Sequence, residues 1–301
     1  MPEHTARPAL QLAHSALEWG ARTYVMAIIN VTPDSFSADG LAQPGADIAA
    51  LALAQARRAA AEGADILDIG GESTRPGAAP IGPEEELRRV LPAIRAIAAE
   101  IDLPISIDTY HADVAAAALD TGAQIINDIW GLRTPEWGWN APLAQLVAQR
   151  GVPIVLMHNR RAQATVGALG GHYRDVRYSD LLGEIVAELR EAVAFAEAQG
   201  IARARIIADP GIGFGKTPAQ NLELVRRLAE LRALDLPLLV GASRKSFIGL
   251  PLNLPPAERD EGTAAVTALA IAAGADIVRV HNVQMNVRAA RIADAILRTA
   301  G

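Results

Sequence analysis

The sequence predicts an α/β protein, a single (β/α)8 barrel with a short N-terminal extension. Two observations predict this fold. Eight short, nearly continuous apolar runs alternate with eight amphipathic, alanine-rich stretches, which is the order of elements in such a barrel. Glycine also recurs just past a predicted helix end and directly before a strand, in the segments 62–66, 121–125 and 273–277. The length of 301 residues fits one barrel of about 250 residues with additions.

The apolar runs are predicted to be strands that are covered on both faces, because hydrophobic residues occupy both faces of each run. The predicted strands are Tyr24–Asn30, Asp65–Gly70, Pro104–Asp108, Gln124–Asp128, Pro153–Met157, Arg205–Asp209, Pro237–Gly241 and Asp276–His281. Helices are predicted over 46–62, 83–100, 111–121, 141–150, 180–199, 218–233, 258–273 and 284–299. Residues 1–21 form the extension, in which Leu10–Trp19 is predicted to close the bottom of the barrel as a short segment or hairpin, and residues 22–301 form the barrel domain.

Composition excludes several classes of function. A net charge of −6 argues against binding to nucleic acid or to an anionic membrane surface. The absence of cysteine excludes disulfides, thiolate zinc sites and cysteine nucleophiles. No apolar run approaches the ~20 residues of a membrane span, and the first ten residues lack the core of a signal peptide. We therefore expect a soluble cytoplasmic protein.

All eight predicted strands carry polar groups at their carboxyl ends, where barrel enzymes place their chemistry. Asp108, Asn127 and Asp209 together offer two carboxylates and an amide, which complement a flat heterocycle with several N–H donors and a carbonyl. Lys245 would donate to the acceptor atoms of such a ring. Buried carboxylates cost several kcal/mol unless they are partnered, so a ligand with N–H groups would satisfy them.

A second group of strand ends suits an anion. Arg279 and His281 lie two positions apart on one strand and therefore share a face. With Asn30 and Arg75 they would form a compact site for phosphate groups. Asn30 also offers an oxygen ligand suited to Mg²⁺, which prefers few protein ligands together with substrate phosphates. The loops at 31–40 and 71–80 contain proline, glycine and hydroxyl residues and are predicted to be mobile covers.

Two features of the sequence allow more than one interpretation. Lys216 and Lys245 are the only lysines, whereas the other 26 of the 28 basic residues are arginine. Ammonium and guanidinium groups bind ligands differently, so both positions are candidates for specific contacts, with chance in a biased composition as the alternative. Trp130, Trp137 and Trp139 follow the fourth predicted strand, where packing of an irregular loop is favoured over ligand stacking.

The strings at the strand ends resemble the signatures of the dihydropteroate synthase family. The resemblance covers about residues 22–298 and begins with NVTPDSFS at 30–37 and DIGGESTRPG at 68–77. Further matching strings occupy 107–109, 127–128, 209–216, 243–246 and 279–281 in the family's order. The resemblance implies that 6-hydroxymethyl-7,8-dihydropterin diphosphate reacts with p-aminobenzoate to give 7,8-dihydropteroate and pyrophosphate.

The resemblance also implies roles for individual residues of the barrel domain. The pterin would be bound by Asp108, Asn127, Met157, Asp209, Gly241, Lys245 and Arg279. The diphosphate would be bound by Asn30, Thr74, Arg75, Arg279 and His281. The p-aminobenzoate pocket would contain Phe36, Pro76, Phe214 and Ser243, and the catalytic residues would be Asp108, Lys245, Arg279 and His281. A Mg²⁺ cofactor with Asn30 as ligand, sulfonamide inhibitors and a homodimer are implied as well.

The reaction that these residue types suit is a dissociative displacement. An arylamine is largely neutral at pH 7, so the difficult step is departure of pyrophosphate, which Mg²⁺ and the cationic cluster would assist. Asp108 would stabilise positive charge at the exocyclic carbon, and no covalent enzyme intermediate is expected. The alternatives are a pterin-binding methyltransferase domain, a non-catalytic pterin-binding paralogue and a structural scaffold.

Three features depart from the family's usual pattern. Ala27 stands where glycine is common, and Ala38-Asp39-Gly40 replaces the more usual Asp-Gly-Gly continuation of the first loop. The stretch 159–178 is long and rich in arginine, and its conformation is open. No insertion interrupts the loop at Phe214, so we expect ordinary sensitivity to sulfonamides.

Overall fold

The computed structural model describes residues 7–32, 47–74, 77–167 and 172–298. Within these residues the centre of the molecule is an eight-stranded parallel barrel. Its strands are β1 (Tyr24–Asn30), β2 (Ile66–Gly70), β3 (Ile105–Asp108), β4 (Ile125–Asp128), β5 (Ile154–Met157), β6 (Ile206–Asp209), β7 (Leu239–Val240) and β8 (Ile277–Val280). Each strand lies beside its neighbour in sequence, and β8 pairs with β1. A bridge between Ala208 and Leu238 joins β6 to β7, so the ring closes and the predicted barrel is confirmed.

Helices cover the outside of the barrel. They are α1 (Ile48–Glu62), α2 (Pro83–Ala98), α3 (Ala112–Thr121), α4 (Ala141–Arg150), α5 (Leu181–Ala198), α6 (Pro218–Arg226), α7 (Ser246–Leu252), α8 (Asp260–Ala273) and α9 (Val283–Arg298). The predicted turn glycines do occupy helix ends: Gly63 follows α1 with φ 96° and Gly274 follows α8 with φ 106°, values that other residues adopt only with strain.

Several predicted helices differ from the structure by one or two residues at an end, and one of them changes type. The helix predicted over 218–233 ends at Arg226 and continues as a 3-10 helix, Leu228–Leu234. Its buried residues Leu228, Leu231 and Leu234 are spaced by three, and three residues per turn place them on one face. The helix predicted over 258–273 begins at Asp260.

The short helix α7 precedes α8 and was not predicted. Its sequence contains Gly249 and Pro251, which are typical of loops, but Phe247 and Ile248 are buried and hold the segment against the core.

The side chains that point into the barrel change character along the strands. The lower interior is an apolar plug formed by Tyr24, Met26, Ile66, Ile125, Val155, Ile207, Leu239 and Ile277. Two residues further along a strand the side chain returns to the same face. At those positions stand Asp68, Asn127, Met157, Asp209, Gly241 and Arg279. The barrel is therefore sealed with hydrocarbon below and lined with polar groups at the carboxyl ends of its strands.

The N-terminal segment forms the predicted hairpin, in which Leu10–Gln11 pairs antiparallel with Ala16–Leu17. Leu10 and Leu17 are buried in the apolar plug, so the hairpin covers the amino ends of the strands. The arginine-rich stretch that follows β5 contains a 3-10 turn, Arg161–Gln163, and a second small hairpin of Thr165–Val166 with Tyr173–Arg174.

Candidate functional site

A buried hydrogen-bonded cluster at the mouth of the barrel joins four strands. Arg279 Nε donates to Asp68 Oδ2 at 2.6 Å, and Arg279 Nη2 donates to Asp108 Oδ2 at 2.7 Å. Asn127 Nδ2 donates to the same Asp68 oxygen at 3.1 Å. The structure thus brings together Asp108, Asn127 and Arg279, as the sequence predicted, and it does so through Asp68.

Asp68 is the residue of this cluster that sequence reasoning missed. Its side chain is fully buried, and Oδ1 has no hydrogen-bond partner among the described residues. The signal was present in the sequence, since β2 carries Ile66, Asp68 and Gly70 on one face of an otherwise apolar strand. A charge at the centre of such a strand has to be paired, and Arg279 is that partner.

Burial and opposite charges compete in this cluster. Burial raises the pKa of Asp108 to about 7, against the opposing effect of Arg279. Burial also raises the pKa of Asp209, which Lys245 opposes, and lowers the pKa of Lys245 to about 8. Asp68, Asp108 and Asp209 lie close to the cations Arg279, Lys245 and Lys216, and Asp68 keeps one oxygen without a hydrogen-bond partner among the described residues. A ligand with N–H donors would therefore fit the site.

One wall of the site is flat and apolar. Ile129, Trp130, Met157 and Phe214 pack together as a buried cluster. Lys245 Nζ lies 4.6 Å from the centre of the Phe214 ring and donates to the Ile212 carbonyl. Gly211 N donates to Asp209 Oδ1 at 2.7 Å. The loop that follows β6 therefore connects the acidic edge of the site to its aromatic wall.

Two small residues leave space within this mouth. A Cβ atom on Gly241 would lie 3.8 Å from Cβ of Arg279, so the predicted pterin residue Gly241 stands beside that arginine. A Cβ atom on Gly70 would lie 3.5 Å from both Asn30 Oδ1 and Asp108 Cβ. Asn30 and Asp108 consequently flank the same glycine.

The outer residues are arranged differently from the predicted groups. His281 Nδ1 lies 2.9 Å from Ser243 Oγ, so a predicted diphosphate residue contacts a predicted aminobenzoate residue. Thr74 lines a cavity of about 10 Å³ together with Glu72, Asp108 and Tyr110. Thr74 is thus placed beside Asp108. The predicted residues Phe36, Arg75 and Pro76 lie outside the described residues.

Asn30 is the candidate metal ligand. It ends β1, its amide oxygen lies near Gly70, and it is half-buried. In the described ranges, with their three internal gaps, no group of three histidine or acidic side chains could hold a metal ion. This donor set fits a hard cation that takes one protein oxygen and completes its shell with water and phosphate oxygens.

The three tryptophans divide between two roles. Trp139 stacks on Phe195 with ring centres 4.3 Å apart, and the guanidinium of Arg133 lies 4.0 Å from the centre of its ring. Arg133 also lies over Trp137 at 4.8 Å. Packing therefore explains Trp137 and Trp139, whereas Trp130 belongs to the apolar wall of the site.

A cleft of about 370 Å³ opens at the other end of the barrel, between α1 and α9. Its carboxylates are already paired: Asp65 binds Arg22 through two contacts of 2.6 and 3.0 Å, and Asp294 accepts from Thr23 N at 2.7 Å. Despite its size, this cleft lacks the competing charges of the mouth.

In the described part of the chain, every helix is too short or too polar to cross a bilayer.

Comparison with known proteins agrees with this geometry. A family model described as pterin binding enzyme matches residues 26–281. The chain is 45% identical to dihydropteroate synthase of Clostridium beijerinckii over 93% of this chain and 96% of the relative. It is 44% identical to the Bacillus subtilis enzyme of the same name, over 100% and 99% of the two chains.

Solved structures extend the comparison to bound ligands. Dihydropteroate synthase of Clostridium difficile, solved in the presence of pteroic acid, has a TM-score of 0.83 at 43% identity and covers 94% of this chain and 99% of its own. The Yersinia pestis enzyme in a sulfonamide drug complex has a TM-score of 0.85 at 38% identity over 97% and 100%. The chain belongs to the dihydropteroate synthase family of pterin-binding enzymes.

Proposed function

We propose that this chain condenses 6-hydroxymethyl-7,8-dihydropterin diphosphate with p-aminobenzoate, giving 7,8-dihydropteroate and pyrophosphate. The observation that carries the proposal is the buried cluster in which Arg279 binds Asp68 and Asp108 at 2.6 and 2.7 Å. Family membership supports the reaction, since the curated relatives are dihydropteroate synthases.

The pterin lies with its polar edge on the carboxylates and its faces between apolar groups. Asp209 and Asn127 accept and donate along the edge, and Lys245 donates to the ring acceptors. Met157 belongs to the apolar wall that borders one side of this slot. Arg279 covers the ring while Asp68 and Asp108 fix its guanidinium, which leaves the plane of the guanidinium little freedom.

The reaction exchanges a carbon–oxygen bond for a carbon–nitrogen bond. The bond between the exocyclic carbon and the bridging oxygen breaks first, and the electron pair leaves with pyrophosphate. Asp108 stabilises the positive charge on the pterin, and Arg279 with His281 stabilises the negative charge on the leaving group. The amine of p-aminobenzoate then forms the new bond and releases one proton to solvent, with no covalent enzyme intermediate.

Mg²⁺ is the proposed cofactor, with Asn30 as its protein ligand. When bound, this ion supplies Lewis-acid neutralisation of the diphosphate charge. Asn30 Oδ1 supports the assignment because it lies at the mouth, across Gly70 from Asp108.

The p-aminobenzoate pocket is proposed to form from Phe214 and Ser243 together with Phe36 and Pro76. The hydrogen bond between Ser243 and His281 supports this, since a pocket that contains Ser243 would adjoin the proposed diphosphate site. A sulfonamide is an isosteric mimic of p-aminobenzoate and would compete for this pocket. We expect inhibition constants in the range of other family members, and constants weaker by orders of magnitude would contradict the pocket.

A homodimer is proposed for the assembly. The adjacent helices α8 and α9 expose Leu269, Ile292 and Ile296, which are 59%, 61% and 74% accessible. An apolar patch of this kind is commonly covered by a partner. Light scattering of the wild type and an Ile296→Glu variant tests the proposal: a dimer that dissociates in the variant supports it, and a wild-type monomer contradicts it.

The assay that tests the reaction measures pyrophosphate release with both substrates and Mg²⁺. Release that requires p-aminobenzoate is expected only from the proposed synthase. A pterin-binding methyltransferase domain or a non-catalytic paralogue would bind pterin without this release, and a scaffold would do neither. Release without p-aminobenzoate, or none at all, would contradict the proposal.

A further inference from the structure

Both lysines of the chain bind the backbone of one loop, the segment 210–216 that follows β6. Lys216 Nζ donates to the carbonyls of Gly211 and Phe214 at 2.9 and 3.1 Å. Lys245 approaches from the loop after β7 and donates to the carbonyl between them, that of Ile212. In a chain with 26 arginines, the two lysines therefore have a common structural target.

Lys216 is the less expected of the two, because it is a long cationic side chain that is only 1% exposed. It has no place in the proposed reaction. Besides the two carbonyls, its Nζ lies 2.9 Å from Nδ1 of His158. Three acceptors thus surround one amine, which is the number of N–H groups that an ammonium offers.

The groups around His158 determine which of its ring nitrogens can accept a hydrogen bond from Lys216. His158 Nε2 lies 3.1 Å from Glu188 Oε2. His158 and Arg160 together lower the pKa of the Glu188 carboxyl to about 2 despite burial, so Glu188 is a carboxylate at neutral pH. Nε2 faces this carboxylate and therefore carries the hydrogen of the His158 ring. Nδ1 is then an acceptor, and the group that faces it has to be a donor.

The number of these acceptors indicates the charge of Lys216. Burial lowers the pKa of Lys216 well below its usual value. A neutral amine, however, has two N–H groups and would leave one of the three buried acceptors without a donor. The arrangement is complete with the ammonium form, which also interacts favourably with the carboxylates of Asp209 and Glu188.

The loop lies so close to a neighbouring backbone that two of its glycines have no space for a side chain. Gly211 has φ 67°, and a Cβ atom there would lie 1.8 Å from the His158 carbonyl oxygen. A Cβ atom on Gly215 would lie 2.2 Å from the backbone of Arg160. The loop is therefore pressed onto the segment after β5, with its carbonyls turned inward. A guanidinium group is planar and wider than an ammonium, and the close backbone leaves little space for it.

The loop carries two groups that belong to the mouth of the barrel. The Phe214 ring contributes to the apolar wall, and the Ile212 carbonyl receives Lys245. Lys216 fixes the backbone on both sides of Ile212, at residues 211 and 214, and so defines both positions.

We propose that Lys216 is a positioning residue whose ammonium group holds the Gly211–Phe214 loop in the shape that places the Phe214 ring for p-aminobenzoate. The proposal rests on the proposed function, because it assigns Phe214 to the aminobenzoate pocket. Lys216 touches neither substrate and acts through Phe214. The pterin edge is expected to be affected less, because Asp209 belongs to β6, which pairs with β5 through residues that Lys216 does not contact.

The first test compares Lys216→Met with a matched buried variant, Thr267→Val. Thr267 donates to Asn286 at 2.7 Å between α8 and α9, away from the mouth, so its loss lowers stability without reaching the loop. We expect Lys216→Met to raise KM for p-aminobenzoate about tenfold and KM for the pterin diphosphate less than about threefold. Thr267→Val is expected to change neither. Equal effects of Lys216→Met on both KM values, or no effect, would overturn the proposal.

A second test applies if Lys216→Met does not fold. Lys216→Ala removes three carbons and the amine, which together match propylamine. Restoration of aminobenzoate KM by propylamine and not by 1-propanol is expected, because the alcohol fills space but supplies a single donor. Equal responses to the two additives would overturn the proposal.

A third measurement separates this inference from the proposed function. Hydrogen exchange of the 211–216 amides does not require activity and reports the order of the loop directly. Lys216→Met is expected to accelerate that exchange at least about tenfold relative to Thr267→Val. A wild-type chain without pyrophosphate release would overturn the proposed function, whereas unchanged exchange would overturn the role of Lys216.

Discussion

The two ends of the barrel are built from the same strands and have opposite physical designs. At the amino ends, Ile66, Ile125 and Ile277 belong to an apolar plug, and the nearby Asp65 is paired with Arg22 on the surface. At the carboxyl ends, the carboxylates of Asp68, Asp108 and Asp209 line the mouth beside Arg279 and Lys245, and Asp68 keeps an oxygen without a partner among the described residues. The amino end of the barrel therefore contributes mainly to stability, whereas the carboxyl end keeps polar groups available for a ligand.

Arg279→Met is expected to have the largest effect on activity. It leaves Asp68 and Asp108 buried without their cation, and breaking such a pair costs about 3–5 kcal/mol. We predict that kcat/KM falls by about a thousandfold. Arg22→Met removes an exposed arginine of the other end, which is paired with Asp65, and is the control. Similar kcat/KM values for the two variants would contradict the contrast between the ends.

Asp68→Asn sharpens the comparison at the residue that the sequence did not reveal. The amide keeps the shape but removes the charge that orients Arg279 and Asn127. A charge-assisted hydrogen bond contributes about 1.5–3 kcal/mol, so we predict a loss of about 10- to 100-fold in kcat/KM. Asp65→Asn is the matched control, and steady-state kinetics that place both variants within threefold of wild type would refute a positioning role for Asp68.

The pH dependence of kcat/KM is expected to follow the charges of the mouth. With pKa values of about 7 for Asp108 and about 8 for Lys245, activity should rise through pH 7 as the carboxylate forms and fall above pH 8 as the ammonium loses its proton. Because the groups interact, these limbs belong to the cluster as a whole. Asp108→Asn should remove the rise in kcat/KM on the acid side of the profile. If that rise is unchanged in the variant, the group that titrates belongs to the substrate and not to Asp108.

The titration of Asp108 also makes the stability of the fold depend on pH. The folded pKa of Asp108 lies above the unfolded value near 3.8, so the folded state binds the proton more tightly. The contribution of protonated Asp108 to the free energy of unfolding is therefore present at low pH. It is lost as the pH rises from about 4 to 7. Thermal unfolding of wild type and Asp108→Asn across this range should show a smaller decrease in Tm for the variant. An equal decrease would contradict the raised pKa.

Leu17→Ala addresses the other end and should have the smallest effect on catalysis. Leu17 is buried in the plug, and truncating a buried leucine costs about 2–5 kcal/mol of folding free energy. We predict a lower Tm with both KM values within about twofold of wild type. A raised KM for either substrate would show that the two ends are not separable in this way.

The sequence predicted most of the architecture because strand and helix periodicity are local properties. The boundaries of β1 were predicted to the residue, whereas α7 was missed because Gly249 and Pro251 are typical of loops and only tertiary burial of Phe247 fixes the helix. The site was predicted in part. Strand ends indicated Asp108, Asn127 and Arg279, because their position on parallel strands implies proximity.

Long-range pairing accounts for what the sequence could not reveal. Asp68 and Arg279 are 211 positions apart, and their contact requires the closed barrel. The three acceptors of Lys216 come from two different loops, so their arrangement around the amine cannot be read from the position of the lysine in the sequence. The contact of His281 with Ser243 was unexpected for the same reason, since the loops after β7 and β8 meet in space.

Pterin affinity of Lys245→Ala, measured by titration of 6-hydroxymethylpterin against wild type, tests most directly whether the carboxyl end of the barrel is the binding end. Lys245 is held between the Ile212 carbonyl and the Phe214 ring, where it offsets the charge of Asp209. We predict affinity weaker by at least about tenfold, as expected for loss of one buried charged donor. Affinity equal to that of the wild type would contradict the assignment of this mouth as the pterin site.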